Sequence, residues 1–342
     1  MNWSKFQDIK QIMRTLTFRR LVNLIQLSLS FRLTKWKVSK RHKGLPFALS
    51  IEPTTACNLS CPACPSGLKS FSRPTGKIDV AFHETIIASL KKSVFYINYY
   101  FQGEPFLHPQ FLTLIKTAKA ANIYTATSTN GHFITDKNAL AIVDSGLDRL
   151  IISIDGLTQE TYASYRVDGE LKKVISATKS LIEAKKQRGS ATPYLIFQLL
   201  VLKTNEDQID ALNDLAKTLG VNEVRFKTAQ FYGYENGNEL MPSNEKYSRY
   251  IKKRDGSYRV KYYGGNHCWR MWSSSVITWD GKVVPCCFDK DAQHALGELK
   301  TEGFDAIWNG ATYQQFRTAV LTNRNDIDIC TNCSEGAKVW VE

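Results

Sequence analysis

No stretch of this chain is both long and apolar. The run from Leu21 to Phe31 is broken by Asn23, Gln26, Ser28 and Ser30, far short of the roughly 20 apolar residues that span a bilayer. A spanning helix is therefore not expected. A secretory signal is also lacking, so the eight cysteines read as reduced thiols of a cytoplasmic protein, used for metal rather than for disulfides. Acid is nearly missing from the first 48 residues. Asp8 stands alone there against eleven Lys and Arg, so this segment holds +10 of the formal +13 and leaves only +3 for the rest. No recognition motif accompanies the charge, and a nucleic-acid partner is not expected.

What the N-terminal segment (1–46) does have is a basic, amphipathic pattern. Leu21, Leu24 and Ile25 are flanked by Arg19, Arg20, Arg32, Lys35 and Lys37. A helix of this kind can lie on an anionic membrane surface or meet an acidic partner. It can equally pack its apolar residues on the main domain and turn its charges to water. The lipid reading places residues 1–45 at the inner face of a membrane, peripherally.

A chain of 342 residues with 43% hydrophobic content suits one large domain and a smaller one. From residue 47 strand-like runs (47–52, 94–101, 123–129, 149–155, 194–202 and 222–227) alternate with helix-like runs near 79–92, 109–121, 135–145, 170–187 and 205–219. Six such units predict an α/β fold, a partial (β/α)6 TIM-like barrel over 47–227, with its chemistry on loops at the C-terminal ends of the strands. Glycines and Pro242 interrupt 228–267, which reads as a linker able to cap the barrel mouth. A small cysteine-rich domain (268–342) follows, and Asp280-Gly281 within it marks a hairpin.

After the first strand comes Cys57-x3-Cys61-x2-Cys64. Three thiolates hold three irons of a 4Fe–4S cube and leave the fourth iron open. A buried helix face is the first alternative, but Pro62 and Pro65 oppose it. Structural zinc is the second, and it lacks a nearby fourth ligand, since no His or Cys follows until His83.

This motif resembles the signature of the radical S-adenosylmethionine (SAM) family, in which the open iron binds the amino and carboxylate groups of SAM. Gln102-Gly103-Glu104-Pro105 resembles the family's GGEP turn toward the SAM amino group, with Gln102 in place of the first glycine. Ser128 and Asn130, and Ser153 and Asp155, resemble its contacts to ribose and methionine. Arg166 matches an arginine that pairs with the SAM carboxylate; a surface ion pair with Asp168 is the alternative. Cys268-x12-Gly281-x4-Cys286 with Cys330-x2-Cys333 resembles the short SPASM/twitch extension, so these four thiols would saturate an auxiliary 4Fe–4S cluster. Cys287 is then spare. A four-cysteine zinc ribbon is the competing reading.

The resemblance implies reductive cleavage of SAM to a 5'-deoxyadenosyl radical, hydrogen abstraction, and an auxiliary cluster that handles an electron. The expected activity is that of an oxidoreductase of dehydrogenase or epimerase type, fed by a reductant such as flavodoxin or ferredoxin. One auxiliary cluster and a short N-terminal segment favour a small polar substrate, a sugar or a lipid-linked molecule; a maturase for a ribosomally made peptide is the alternative, and a non-enzymatic redox sensor a distant one. Tyr100, Lys203, Lys227 and Asp289 are the candidate substrate-facing groups.

Overall fold

In a computed structural model, residues 3–39, 42–261, 265–333 and 340–341 are described. The chain opens with helices α1 (Trp3–Arg14) and α2 (Phe18–Lys35), the second capped by the Thr17 side chain, which accepts from the Arg20 N–H. The strand–helix alternation follows as β1 (Ala48–Ile51), α3 (Pro65–Leu68), α4 (Val80–Leu90), β2 (Tyr96–Asn98), α5 (Phe111–Ala120), β3 (Tyr124–Thr129), α6 (Asp136–Asp144) and β4 (Arg149–Ser153). It continues through α7 (Gln159–Tyr165), α8 (Leu171–Gln187), β5 (Tyr194–Val201), α9 (Ile209–Leu219) and β6 (Glu223–Thr228). All six strand-like runs are strands.

Local chemistry sets the helix ends. Asp79 caps α4 by accepting from the Phe82 N–H, Thr135 and Asn138 form a capping box on α6, and Gly220 ends α9 at φ +83. Strands β1 to β6 pair in parallel in chain order, as right-handed βα units demand. Because helices cover one face and side chains fill the other, β5 is buried along most of its length. The main core joins these strands to α4, α5, α6 and α8 through residues such as Ile97, Leu114, Leu150, Leu181 and Phe197.

The partial barrel does not close on itself. Segment 228–267, expected as a linker, contains a small hairpin, β7 (Tyr250–Lys252) with β8 (Tyr258–Val260). Its Phe231, Met241 and Tyr250 form a second apolar cluster with Leu59, Cys61, Tyr165 and Leu202. It is thus packed over the cysteine loop. Next come α10 (Arg270–Ser273), β9 (Ser274–Ile277), β10 (Lys282–Val284), β11 (Gly297–Glu298), α11 (Phe304–Asn309), α12 (Ala311–Asn323), α13 (Asp328–Thr331) and β12 (Trp340–Val341). Strand β9 runs parallel to the free edge of β1, and β12 runs antiparallel to the free edge of β6. One ten-stranded sheet results, and both exposed edges of the barrel are covered.

Candidate active site

The first thiol set lies in the loop after β1, at the C-terminal end of the barrel. Cys61 is buried, Cys57 and Cys64 are half-buried. The Cys64 N–H donates to Cys61 O (3.2 Å), and Cys64 opens α3, whose Pro65 suits a first helical position. Burial pushes the Cys57 thiol up to about 11 and raises that of Cys61 as well, the Arg166 charge opposing the latter. Thiols so buried are held as thiolates only by a strong local positive charge, such as metal supplies.

The turn after β2 is pressed onto this loop. A Cβ on Gly103 would stand 2.3 Å from Thr54 O, and its φ is +75, so only glycine fits. Its N–H donates to Ser66 Oγ (2.8 Å), and the Glu104 N–H donates to Ala56 O (2.7 Å). The Glu104 carboxylate turns the other way. It accepts from Thr129 Oγ1 (2.8 Å), the Asn130 N–H (2.7 Å) and the Phe106 N–H (3.2 Å), and burial lifts it to about 7 against these bonds. Glu104 therefore fastens β2 to β3, and the cofactor contact expected of this turn falls to its backbone. Gln102 is buried and Pro105 starts a short helical turn.

At the end of β3, Ser128 is half-buried and Asn130 reaches the cysteine loop, donating to Asn58 Oδ1 (2.7 Å) with Cys57 Sγ 4.0 Å away. At the end of β4, Ser153 and Asp155 are buried. Asp155 Oδ2 accepts from Arg166 Nε (2.5 Å) and Oδ1 from the Leu200 N–H (2.6 Å). The ion-pair partner of Arg166 is thus Asp155 rather than Asp168, which accepts from Ser60 Oγ (2.5 Å). Arg166 Nη1 lies 3.8 Å from Cys61 Sγ. With both carboxylate oxygens engaged, Asp155 acts by orienting Arg166.

Cys268, Cys286, Cys330 and Cys333 line a shared cavity, walled by Met271, Phe288, Phe316, Val320 and Ile329. Among the described residues no three His, Cys, Asp or Glu side chains converge to hold a single ion; the four thiols surround a volume. Arg324 is buried beside them; burial opposes its charge, and Cys333, Cys268 and Cys330 outweigh that and raise its pKa. Four thiolates around an apolar cavity with one buried cation fit an anionic 4Fe–4S cube. Cys287 is absent from this lining and packs instead with Phe101, Val276, Val284 and Ala292.

Sequence reasoning missed the clamp between the two sets. Arg73 donates to both oxygens of buried Glu52 (2.9 and 2.6 Å), and Glu52 also accepts from the Trp279 N–H (3.2 Å). Asp291 accepts from the Ser72 N–H (2.9 Å), and Trp279 Nε1 donates to Pro74 O (3.2 Å). Tyr250 joins both halves too: it packs beside Cys61 and its hydroxyl donates to Asn332 Oδ1 (3.0 Å), between Cys330 and Cys333. None of these partners shares a local motif.

The four substrate candidates separate. Tyr100 has an exposed edge, while desolvation raises its pKa and the nearby charges are those of Cys64, Arg166, Cys287 and Cys57, which places it beside the first thiol set and Cys287. Lys227 is half-buried; burial lowers its pKa, as do Arg249, Lys290 and Arg270, against Cys287. Lys203 is exposed, and its backbone N–H donates to Leu240 O (3.1 Å). Asp289 is bonded to its own chain. It is buried, and its two oxygens accept from the Gln293 N–H (2.8 Å) and the His294 N–H (3.0 Å). That carboxylate shapes the turn after Cys287.

Comparison with known proteins agrees with this geometry. The family model of the radical SAM superfamily matches residues 51–216, and that of the SPASM iron–sulfur cluster-binding domain matches 268–334. The chain is 25% identical over 313 residues to PqqA peptide cyclase of Gluconobacter oxydans, covering 86% of this chain and 84% of that one. It is also 25% identical over 320 residues to the tungsten-containing aldehyde ferredoxin oxidoreductase cofactor-modifying protein of Pyrococcus furiosus, covering 84% and 86%. Among solved structures, Streptococcus suis SuiB bound to S-adenosylmethionine superposes with a TM-score of 0.63 at 16% identity, over 86% of this chain and 73% of that one, and so shares the fold.

Proposed function

From the premise that this chain belongs to the radical SAM superfamily and carries a C-terminal SPASM domain, we propose that it is a maturase that oxidises a ribosomally made peptide or protein. The observation that carries this reading is the alignment with a peptide cyclase along 86% of the chain. It favours a peptide over the small polar substrate, a reading that rested on a cysteine count and a short N-terminal segment.

When bound, SAM and the first 4Fe–4S cluster supply a 5'-deoxyadenosyl radical, and the auxiliary cluster supplies a second redox centre for net oxidation. The chain's own residues position and shield. Cys57, Cys61 and Cys64 would hold the first cluster, and Cys268, Cys286, Cys330 and Cys333 the auxiliary one. The backbone of Gln102, Gly103, Glu104 and Pro105 would serve the SAM amino group, Arg166, oriented by Asp155, its carboxylate, and Ser128, Asn130 and Ser153 with Asp155 the ribose and methionine parts. Segment 229–250 packs beside the cysteine loop, which keeps water from the reacting centre. Arg249, Lys290 and Arg270 give the space around Lys227 a positive field, suited to an anionic group on the peptide. A low-potential donor such as flavodoxin or ferredoxin delivers the electron, in the cytoplasm where the thiols stay reduced.

The test uses protein reconstituted anaerobically with iron and sulfide, SAM and reductant, given either the peptide fraction of host lysate or its peptide-free metabolite fraction. The peptide fraction should raise 5'-deoxyadenosine output and yield a peptide lighter by two hydrogens. Stimulation by the metabolite fraction alone returns the small-substrate reading. Deuterium uptake from D2O without loss of mass would mean epimerisation.

A further inference from the structure

The N-terminal helices are turned inside out. In most surface helices the apolar stripe faces the core. Here the inward side of α2 is largely polar: Arg20, Ser30 and Thr34 are buried there with Leu27. Phe18, Leu21, Val22, Ile25, Leu29 and Trp36, which recur at helical spacing, point outward. Phe18 is 81% and Trp36 67% exposed. Helix α1 repeats the arrangement, with Asp8 buried and Phe6, Ile9 and Met13 exposed. Of the fifteen large apolar side chains exposed among the described residues, eleven lie between Phe6 and Val38. Scattered exposed apolar residues are ordinary, but a contiguous stripe marks an interaction surface.

Rotation cannot turn this stripe inward, because the polar side is bonded at several points. The Arg20 guanidinium donates to Thr15 O (2.6 Å), Asn122 O (2.6 Å), Lys91 O (2.7 Å) and Ala121 O (3.1 Å). Asn23 exchanges two hydrogen bonds with the Leu45 backbone (2.7 and 2.8 Å), and Ser30 Oγ accepts from the Lys43 N–H (3.0 Å). In α1, Asp8 accepts from Tyr124 and Arg149. Leaving these groups unpaired in the interior would cost more than the stripe would recover.

We propose that this outward face docks on an anionic membrane surface. Charge complementarity selects that occupant. Arg14, Arg19, Arg32, Lys35 and Lys37 are exposed around the stripe, and the one acid of the segment is buried. A cationic rim around Leu, Ile, Phe and Trp is the composition of helices that lie in the headgroup region. No helix among the described residues can cross a membrane, so the contact is peripheral. Tyr124 and Arg149, which anchor α1, begin β3 and β4. The helices thus sit at the end of the barrel remote from the cysteine loop, and docking leaves the mouth free for the peptide.

The experiment is flotation of the full chain with phosphatidylglycerol-containing vesicles and with pure phosphatidylcholine vesicles, at low and high salt. The wild type should float with the anionic vesicles, and less at high salt. Ile25→Asp with Leu29→Asp, at exposed positions, should lower vesicle binding at least tenfold with unchanged circular dichroism and iron content. Absence of flotation at low salt overturns the proposal. So does a wild-type dimer that this variant splits into monomers, since a second copy would then cover the stripe. Neither result bears on the peptide reaction.

Discussion

The two thiol sets use the same ligand chemistry in opposite settings. The first has three thiols in a loop bordered by Asn58, Asn130, Arg166 and the backbone of the Gly103 turn, groups able to receive a polar cofactor. The second has four thiols in an apolar cavity with one buried arginine. An open iron beside polar groups is a place for bond cleavage; a fully ligated cluster in a greasy wall is a place for electrons. The difference lies in what surrounds the sulfur.

Replacing Cys57, Cys61 and Cys64 together by Ala should abolish 5'-deoxyadenosine formation and remove about half of the bound iron, the share of one of two such clusters. Iron analysis and chromatography of the products check both. If iron fell to zero, the two sites would be interdependent, and the contrast would collapse.

Cys286→Ser sharpens the same contrast from the other side. It should remove the auxiliary iron and peptide turnover while SAM cleavage continues. Cys287→Ser should keep both clusters, because that side chain packs with Phe101 and Val276 outside the cavity. Loss of iron in the Cys287 variant instead would exchange the two residues' roles.

Arg166→Gln breaks the polar border of the first site. It strands the Asp155 carboxylate, which is wholly buried, and breaking such a pair costs about 3–5 kcal/mol. Asp155→Asn in the same chain should recover part of the lost urea midpoint but none of the lost SAM affinity. Recovery of both would show that Arg166 acts only structurally.

The smallest effect concerns Glu104, whose folded value is raised to about 7 by burial. The unfolded chain releases this proton first as pH rises, so stability present below its ordinary carboxylate range is lost through about pH 7. Across that window the group accounts for up to about 3 kcal/mol. Urea unfolding of wild type and Glu104→Gln at about pH 5 and pH 8 should give a flatter dependence in the variant; equal slopes would mean that Glu104 stays ionised throughout.

Much of this molecule was legible before folding because its signals are short. Strand–helix alternation located all six barrel strands, since parallel strands covered by helices must be apolar runs separated by amphipathic ones. The seven candidate ligand cysteines stood out through three short spacings, C-x3-C-x2-C, C-x12-G-x4-C and C-x2-C, that resemble family motifs. Asp289 shows the limit of such spacings: a carboxylate three residues past Cys286 serves a turn as readily as a substrate.

What the sequence determined by itself is therefore the inventory: the elements, both thiol sets and the excess of positive charge in the first 48 residues. Tertiary structure alone decided which distant groups meet. Glu52 finds Arg73, Asn58 finds Asn130 and Arg166 finds Asp155 only after the strand order brings loop ends together. The same holds for α2. Its period is written in the residues, but which side turns inward depends on Arg20 meeting four carbonyls contributed by three separate loops, and hydrogen bonds between parts far apart in the chain leave no local mark.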